Sequence, residues 1–169
     1  MIEHLKALLK SFLRHEKKTT VILYTFATET ARSENRRPLQ MHTGDAGFDV
    51  YADNLKFNKD YDVWEYGIGL RFSIPKGYYL EFKPRSSTFK TGLILSNCTG
   101  TIDRGYHGQV MAHFYEHSRT QRLHPYKIGE RIGQLVVHPY TENIVFKYVD
   151  ELPFDEDDRK GGFGSTGMK

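Results

Sequence analysis

GIGLRFSIPKGYYLEFKP, residues 67–84, decides the fold: two short runs alternate apolar and polar residues, and Pro75, Lys76 and Gly77 interrupt them. A period of two turns one face of each run toward a core and the other toward water, the pattern of half-buried strands. The alternation returns in QVMAHFYEH (109–117) and IGQLVVHP (132–139), which Gly105 to Gly108 and Gly129 set off as turns. Upstream, TTVILYTFAT (19–28) is β-branched and aromatic. Nothing after residue 20 reads as a helix. Short strands between Gly and Pro turns predict an all-β sandwich or barrel, with no repeat or linker to divide it.

At 169 residues the chain can build one domain around a single core. Its mean hydropathy is -0.58 and no apolar run approaches the roughly 20 residues of a membrane span, so a transmembrane protein is not expected. Cys98 is the sole cysteine and lysines interrupt the apolar positions of residues 1–14, which predicts a reducing, cytoplasmic setting without a signal peptide. Eight His and one Cys never fall into zinc-ligand spacing. The net charge of +3 is concentrated early: residues 1–40 hold eight Lys and Arg against four acids, leaving a nearly neutral body. No nucleic-acid-binding surface is expected from such a distribution.

Both ends differ from the 19–152 domain. Residues 2–13 place Ile2, Leu5, Leu9, Phe12 and Leu13 near one helical face, with Lys6, Lys10, Arg14 and Lys17 on another. A basic amphipathic helix over residues 1–18 follows, either packed on its own domain or attached to a protein partner or membrane surface. At the other end DELPFDEDD (150–158) carries six acids in nine residues and precedes RKGGFGSTGMK. That stretch cannot bury itself, so residues 153–169 read as a flexible arm. One aromatic among glycines, followed by two hydroxyls, suits an arm that closes over a nucleotide.

Several constellations carry chemistry. PRSSTF (84–89) follows a strand and offers the planar fork of Arg85 with the hydroxyls of Ser86 and Ser87, either a phosphate grip or an ordinary turn. TGTIDRGYHGQV (99–110) holds Asp103 and Tyr106 in a glycine-punctuated hairpin, where the Asp is a general base or a turn cap. DAGFDVYA (45–52) puts Asp49 at the start of a strand, within reach of a metal's water shell. In GERIGQLV (129–136), alternation sends Arg131 and Gln134 to opposite faces, and of the two we take Gln134 as the site residue.

Taken in order, DAGFDVYA, PRSS, NCTGTIDRGYHG, ERIGQLVV and RKGGFGSTG closely resemble the five motifs of the trimeric dUTP diphosphatase (dUTPase) family, over residues 45–167. The resemblance implies a dUTPase-like β jelly roll (β-clip) that forms a homotrimer with three active sites shared between subunits. It implies hydrolysis of dUTP to dUMP and pyrophosphate, with Asp103 activating the water that attacks the α-phosphorus. Arg85, Ser86, Ser87 and Gln134 match the triphosphate grip. Asn97 with backbone groups of Gly100 and Met111 matches the uracil reader, and Tyr106 matches the ring beneath deoxyribose. In the arm, Phe163 would stack on uracil while Arg159, Gly164, Ser165 and Thr166 close over the phosphates. Mg2+ would ride mainly on the substrate's phosphates with no direct protein ligand, and Asp49 would touch its water shell or the nearby sugar.

This chain departs from the pattern at His107, where the family commonly shows Arg, and in a fifth motif one residue shorter between Arg159 and the glycine pair. The resemblance does not reach residues 1–18. Two rival readings are a dCTP deaminase, which shares the fold, and a regulatory protein that uses the fold to bind a protein partner. The deaminase needs a catalytic Glu in the strand after the hairpin, where this chain has His113, with Glu116 three residues on.

Overall fold

The computed structural model describes residues 20–117 and 124–151. The basic amphipathic stretch 1–18 and the arm residues Arg159, Phe163, Gly164, Ser165 and Thr166 lie outside the described residues. Within them the chain forms β1 (Leu23–Phe26), α1 (Glu29–Ser33), β2 (Gly47–Tyr51), β3 (Asn54–Asn58), β4 (Val63–Gly67), β5 (Leu70–Ser73), β6 (Tyr78–Pro84), a 3-10 turn (Thr88–Lys90), β7 (Leu93–Leu95), β8 (Gly100–Ile102), β9 (Met111–Glu116) and β10 (Arg131–Pro139). Two antiparallel four-stranded sheets, ordered β2-β10-β6-β8 and β3-β4-β9-β7, make the body, and β1 pairs with β5 in a separate two-stranded sheet.

Alternation builds this arrangement as the sequence predicts. In β6, Leu80 and Phe82 are buried while Tyr79, Glu81 and Lys83 point outward. Ala112 and Phe114 of β9, Leu70 and Phe72 of β5, and Ile132 and Leu135 of β10 join the same core from the other strands. Burying one such large apolar side chain contributes about 1.5–3 kcal/mol, which suffices to fix strand register. At Gly133 any β carbon would strike the Phe82 ring, so glycine there lets the ring pack flat against β10. The turn between β5 and β6 closes through the Tyr78 amide to the Pro75 carbonyl, with Gly77 at φ +83 where an L side chain would be strained.

The expectation that no helix follows residue 20 is corrected by α1. Thr28 caps it, its hydroxyl accepting from the Ala31 amide at 3.1 Å. Glu29 in the first turn and Arg32 in the last complement the helix ends. Five residues are too few to leave an apolar period in the sequence, so tertiary packing of Ala31 and the cap decide it.

Candidate active site

β2, β10 and β6 lie side by side, and their outward faces carry the polar residues singled out by sequence. Gln134 of β10 stands opposite Asp49 of β2 on one side and Lys83 of β6 on the other. A register shift between Arg131 and Gly133 then changes the face of Arg131. Arg131 pairs with Tyr51 and Gln134 with Asp49, and Asp49 and Tyr51 are two apart on one strand. Arg131 and Gln134 therefore share a face, correcting the expectation of opposite faces; the bulge supplies the extra residue that simple alternation omits. Arg131, which the sequence reading passed over, donates from Nη1 to Asp49 Oδ2 at 2.8 Å.

Arg85 arrives just beyond the end of β6, its Nε 3.6 Å from the other Asp49 oxygen. One carboxylate thus sits between two guanidiniums, with its side chain 14% exposed. The arginines border a recess of about 400 Å3 with Tyr51, Tyr126, Gly129 and Glu130. Ser86 and Ser87 follow in the turn, which the Thr88 amide closes onto the Arg85 carbonyl at 3.0 Å. Beneath it, Tyr126 shares a 2.8 Å hydrogen bond with the Thr88 hydroxyl, and burial raises its phenol above the ordinary range. Gln134 lies across Gly47: a β carbon there would collide with the Gln134 amide oxygen.

The hairpin residues lie elsewhere. β8 pairs with β6 so that Gly100 faces Phe82, Thr101 faces Glu81 and Ile102 faces Leu80. Asp103 comes next, exposed, in a recess of about 470 Å3 lined also by Tyr79, Thr101, Arg104, Gly105 and Tyr140. Tyr106 folds back over its own hairpin, its hydroxyl donating to the Gln109 carbonyl at 2.7 Å and its Oη standing 2.6 Å from where a Gly108 β carbon would be. Asn97 is exposed in the turn before β8, and Met111 opens β9 opposite Gly67. His107 turns its Nδ1 to the Phe72 carbonyl at 3.3 Å.

Asp103 therefore sits at the Tyr79 end of β6, whereas Arg85 lies beyond Pro84 at the other. Six residues of strand separate these points, roughly 20 Å at about 3.3 Å per residue. That span exceeds a triphosphate. Along it the outward face is carpeted by contacts: Lys83 Nζ meets Glu81 at 2.9 Å, the Tyr79 hydroxyl donates to Glu81 at 3.0 Å, and His138 stacks on Tyr79 with ring centres 5.3 Å apart. The Lys83 hydrogen bond leads in holding the Glu81 carboxyl below its usual range, and the Tyr79 bond adds to it. One chain brings together Asp49, Arg85, Arg131 and Gln134, with Ser86 and Ser87 adjoining, and keeps Asp103 and Tyr106 apart from them. A third recess, about 360 Å3 and lined by residues such as Val21, Ile22, Phe48 and Phe72, is apolar.

The dUTPase family model matches residues 34–167, which includes all five motifs. The chain belongs to the dUTPase family. It is 36% identical over 140 residues to the deoxyuridine 5'-triphosphate nucleotidohydrolase of Finegoldia magna, covering 80% of this chain and 94% of that relative. The enzyme of the same name from Leifsonia xyli is 38% identical over 135 residues, covering 78% and 86%. That of Escherichia phage T5 is 41% identical over 103 residues, covering 60% and 66%. Among solved structures, a Staphylococcus bacteriophage 80alpha dUTPase with dUpNHpp superposes with a TM-score of 0.67 at 25% identity, covering 89% of this chain and all of that one. A dUTPase from phage phi11 of S. aureus, whose structure describes a structural Mg(II) ion, shares the fold with a TM-score of 0.61 at 22% identity, covering 79% of this chain and 99% of that one. Membership makes this chain a dUTP diphosphatase and does not favour the dCTP deaminase reading. In β9, Glu116 accepts from the Trp64 indole at 2.9 Å and His113 faces Glu65 at 3.9 Å. Among the described residues no helix is long and apolar enough to cross a membrane.

Proposed function

We propose that the chain hydrolyses dUTP to dUMP and pyrophosphate at sites shared between the subunits of a homotrimer. The observation that carries the shared site is the separation of Asp103, beside the Tyr79 end of β6, from Arg85, beyond its other end. A neighbouring copy that lays its hairpin against the Arg85 end would complete one site, and repetition of that head-to-tail contact closes a ring of three. The segment after β10 supports assembly: Ile144, Val145, Phe146 and Tyr148 are exposed, Phe146 at 97%. Apolar side chains this open call for a covering surface.

In this reading the Asp103 carboxylate takes a proton from a water aligned with the α-phosphorus, the water oxygen bonds to phosphorus, and pyrophosphate leaves. Arg85, Ser86, Ser87 and Gln134 hold the triphosphate by charge-assisted and neutral hydrogen bonds. Arg131 engages Asp49 and so leaves Arg85 to the phosphates. Asn97 and the backbones of Gly100 and Met111 read the uracil edge, where a cytosine amino group would meet donors. Tyr106 supports deoxyribose and leaves no room for a 2'-hydroxyl. Arg159, Phe163, Gly164, Ser165 and Thr166 close the site and exclude water.

The donor set suits magnesium carried by the substrate: both Asp49 oxygens face arginines, which leaves lone pairs for a water of a hydrated cation. When bound, Mg2+ supplies positive charge to the departing pyrophosphate. Residues 1–18 are the segment through which a protein partner would attach. The test is pyrophosphate release from dUTP, dCTP, dTTP and UTP with magnesium. We expect turnover of dUTP well above the other three. Ammonia from dCTP would support the deaminase, and absence of turnover the regulatory protein.

A further inference from the structure

Arg36 and Asp53 lie beneath the phosphate-gripping end of β2 and β10, and neither belongs to the five motifs. Arg36 is 6% exposed and Asp53 7%. Arg36 Nη1 donates to Asp53 Oδ1 at 2.9 Å and to the Ala52 carbonyl at 3.1 Å. Its Nε donates to Glu34 at 3.0 Å, and its Nη2 reaches the same carboxylate oxygen. The remaining Asp53 oxygen accepts from the Thr28 hydroxyl at 2.6 Å, so the buried pair is also tied to the cap of α1. Burying these charges is costly, and the bonds just given offset that cost.

The pair reaches the site by two short routes. The Ala52 carbonyl that Arg36 holds also accepts from the Gly129 amide at 2.7 Å, and the Ala52 amide donates to the Glu130 carbonyl at 2.8 Å. Gly129 is at φ +87, and a β carbon there would stand 3.7 Å from Arg36 Nη2. The guanidinium thus backs the turn that launches Arg131 toward Asp49. The second route runs along the chain from Arg36 to Leu39, whose amide and carbonyl exchange hydrogen bonds with Asp49 at 3.0 and 2.8 Å. Arg36 thereby sits behind both partners of the 2.8 Å Arg131–Asp49 contact.

We propose that Arg36, anchored by Asp53, is a positioning residue for triphosphate binding: it sets the 129–131 turn so that Arg131 holds Asp49 and leaves Arg85 aimed at phosphate. If the turn slackens, Arg131 lets go of Asp49. The freed carboxylate then competes for Arg85, whose Nε is already 3.6 Å away. The inference rests on the proposed role of Arg85, Arg131 and Asp49 in gripping the triphosphate. Lysine cannot replace Arg36, because one ammonium cannot serve Ala52, Asp53 and Glu34 in the fork geometry of a guanidinium.

The test is a double-mutant cycle on dUTP hydrolysis with R36K, R131M and R36K/R131M, alongside melting curves. R131M should raise KM about tenfold, the scale of one weakened charge-assisted contact, with kcat within about twofold. R36K should do the same, and the double variant should be no worse than R131M because both changes act through one contact. Should R36K fail to fold, R36M/D53L replaces the buried pair with apolar groups and enters the cycle in its place. A lowered Tm with unchanged KM in R36K, or KM effects that multiply in the double variant, would overturn the positioning role. Unchanged KM in R131M would overturn the site reading itself, and this inference with it.

Discussion

Gly47→Ala probes the site through one atom. Gly47 is the first residue of β2 and pairs with Val136 of β10. A β carbon there would overlap Gln134 Oε1 and lie 2.9 Å from its Cδ and 3.2 Å from its Cβ. The amide must swing away, and the Cβ contact demands a small shift of β10 as well. Overpacking on this scale costs about 1–3 kcal/mol. For a domain of this length that lowers Tm by roughly 2–12 °C. Displacing the amide also removes a donor from the triphosphate, worth about 1 kcal/mol or roughly fivefold in KM. Calorimetric melting and steady-state dUTP hydrolysis measure the two effects. Adding Gln134→Ala removes Oε1 and Cδ but keeps the Cβ contact, so G47A/Q134A should recover most of the lost Tm while its KM stays at that of Q134A. A G47A protein with unchanged Tm and KM would refute the placement of Gln134. So would a double variant no more stable than G47A.

Burial pushes the Tyr66 phenol up to about 12 from 10.0, so the folded state holds that proton more tightly than the unfolded one. The associated stability, about 3 kcal/mol, is intact below pH 10 and lost as pH rises toward 12. Urea midpoints across that window should fall less steeply in Tyr66→Phe; equal steepness would remove Tyr66 as the cause. Tyr106→Ala should relax selection against UTP, read as the ratio of kcat/KM for dUTP and UTP, whereas an unchanged ratio would sink the sugar-gate role. Truncation after Asp158 should leave a folded trimer by sedimentation that turns over dUTP far more slowly, and full activity would remove the arm from the site.

What the sequence made legible follows from how directly each feature maps onto side-chain period. Leu80 and Phe82 alternate with Tyr79, Glu81 and Lys83, so β6 emerges with its true bounds at residues 78–84. β10 emerges too, but the bulge at Arg131 is set by backbone pairing with β2 and leaves no mark in apolar spacing. Simple alternation therefore sends Arg131 to the wrong face and hides it as a site residue. Arg36 and Asp53 sit in ENRRP and YADN, where no apolar period marks a buried position; only the folded backbone shows them buried together. The five motifs named the chemistry, yet no local pattern could say that Asp103, just past β8, and Arg85, just past β6, lie beside opposite ends of β6. That separation is a property of the β8-to-β6 register.

The most direct test of the shared site mixes two inactive proteins. Asp103→Asn keeps the Arg85 end intact, and Arg85→Ala keeps Asp103 intact. Each homotrimer should hydrolyse dUTP orders of magnitude more slowly than the unaltered protein. After the two are unfolded together in equal amounts and re-formed as trimers verified by mass, about a quarter of the sites would pair an intact Arg85 with an intact Asp103 from a neighbour. Dissolved activity should then return to about a quarter of the unaltered turnover, carried by intact pairs of complementary faces. Verified mixed trimers that stay as inactive as their parents would contradict a site built from two chains.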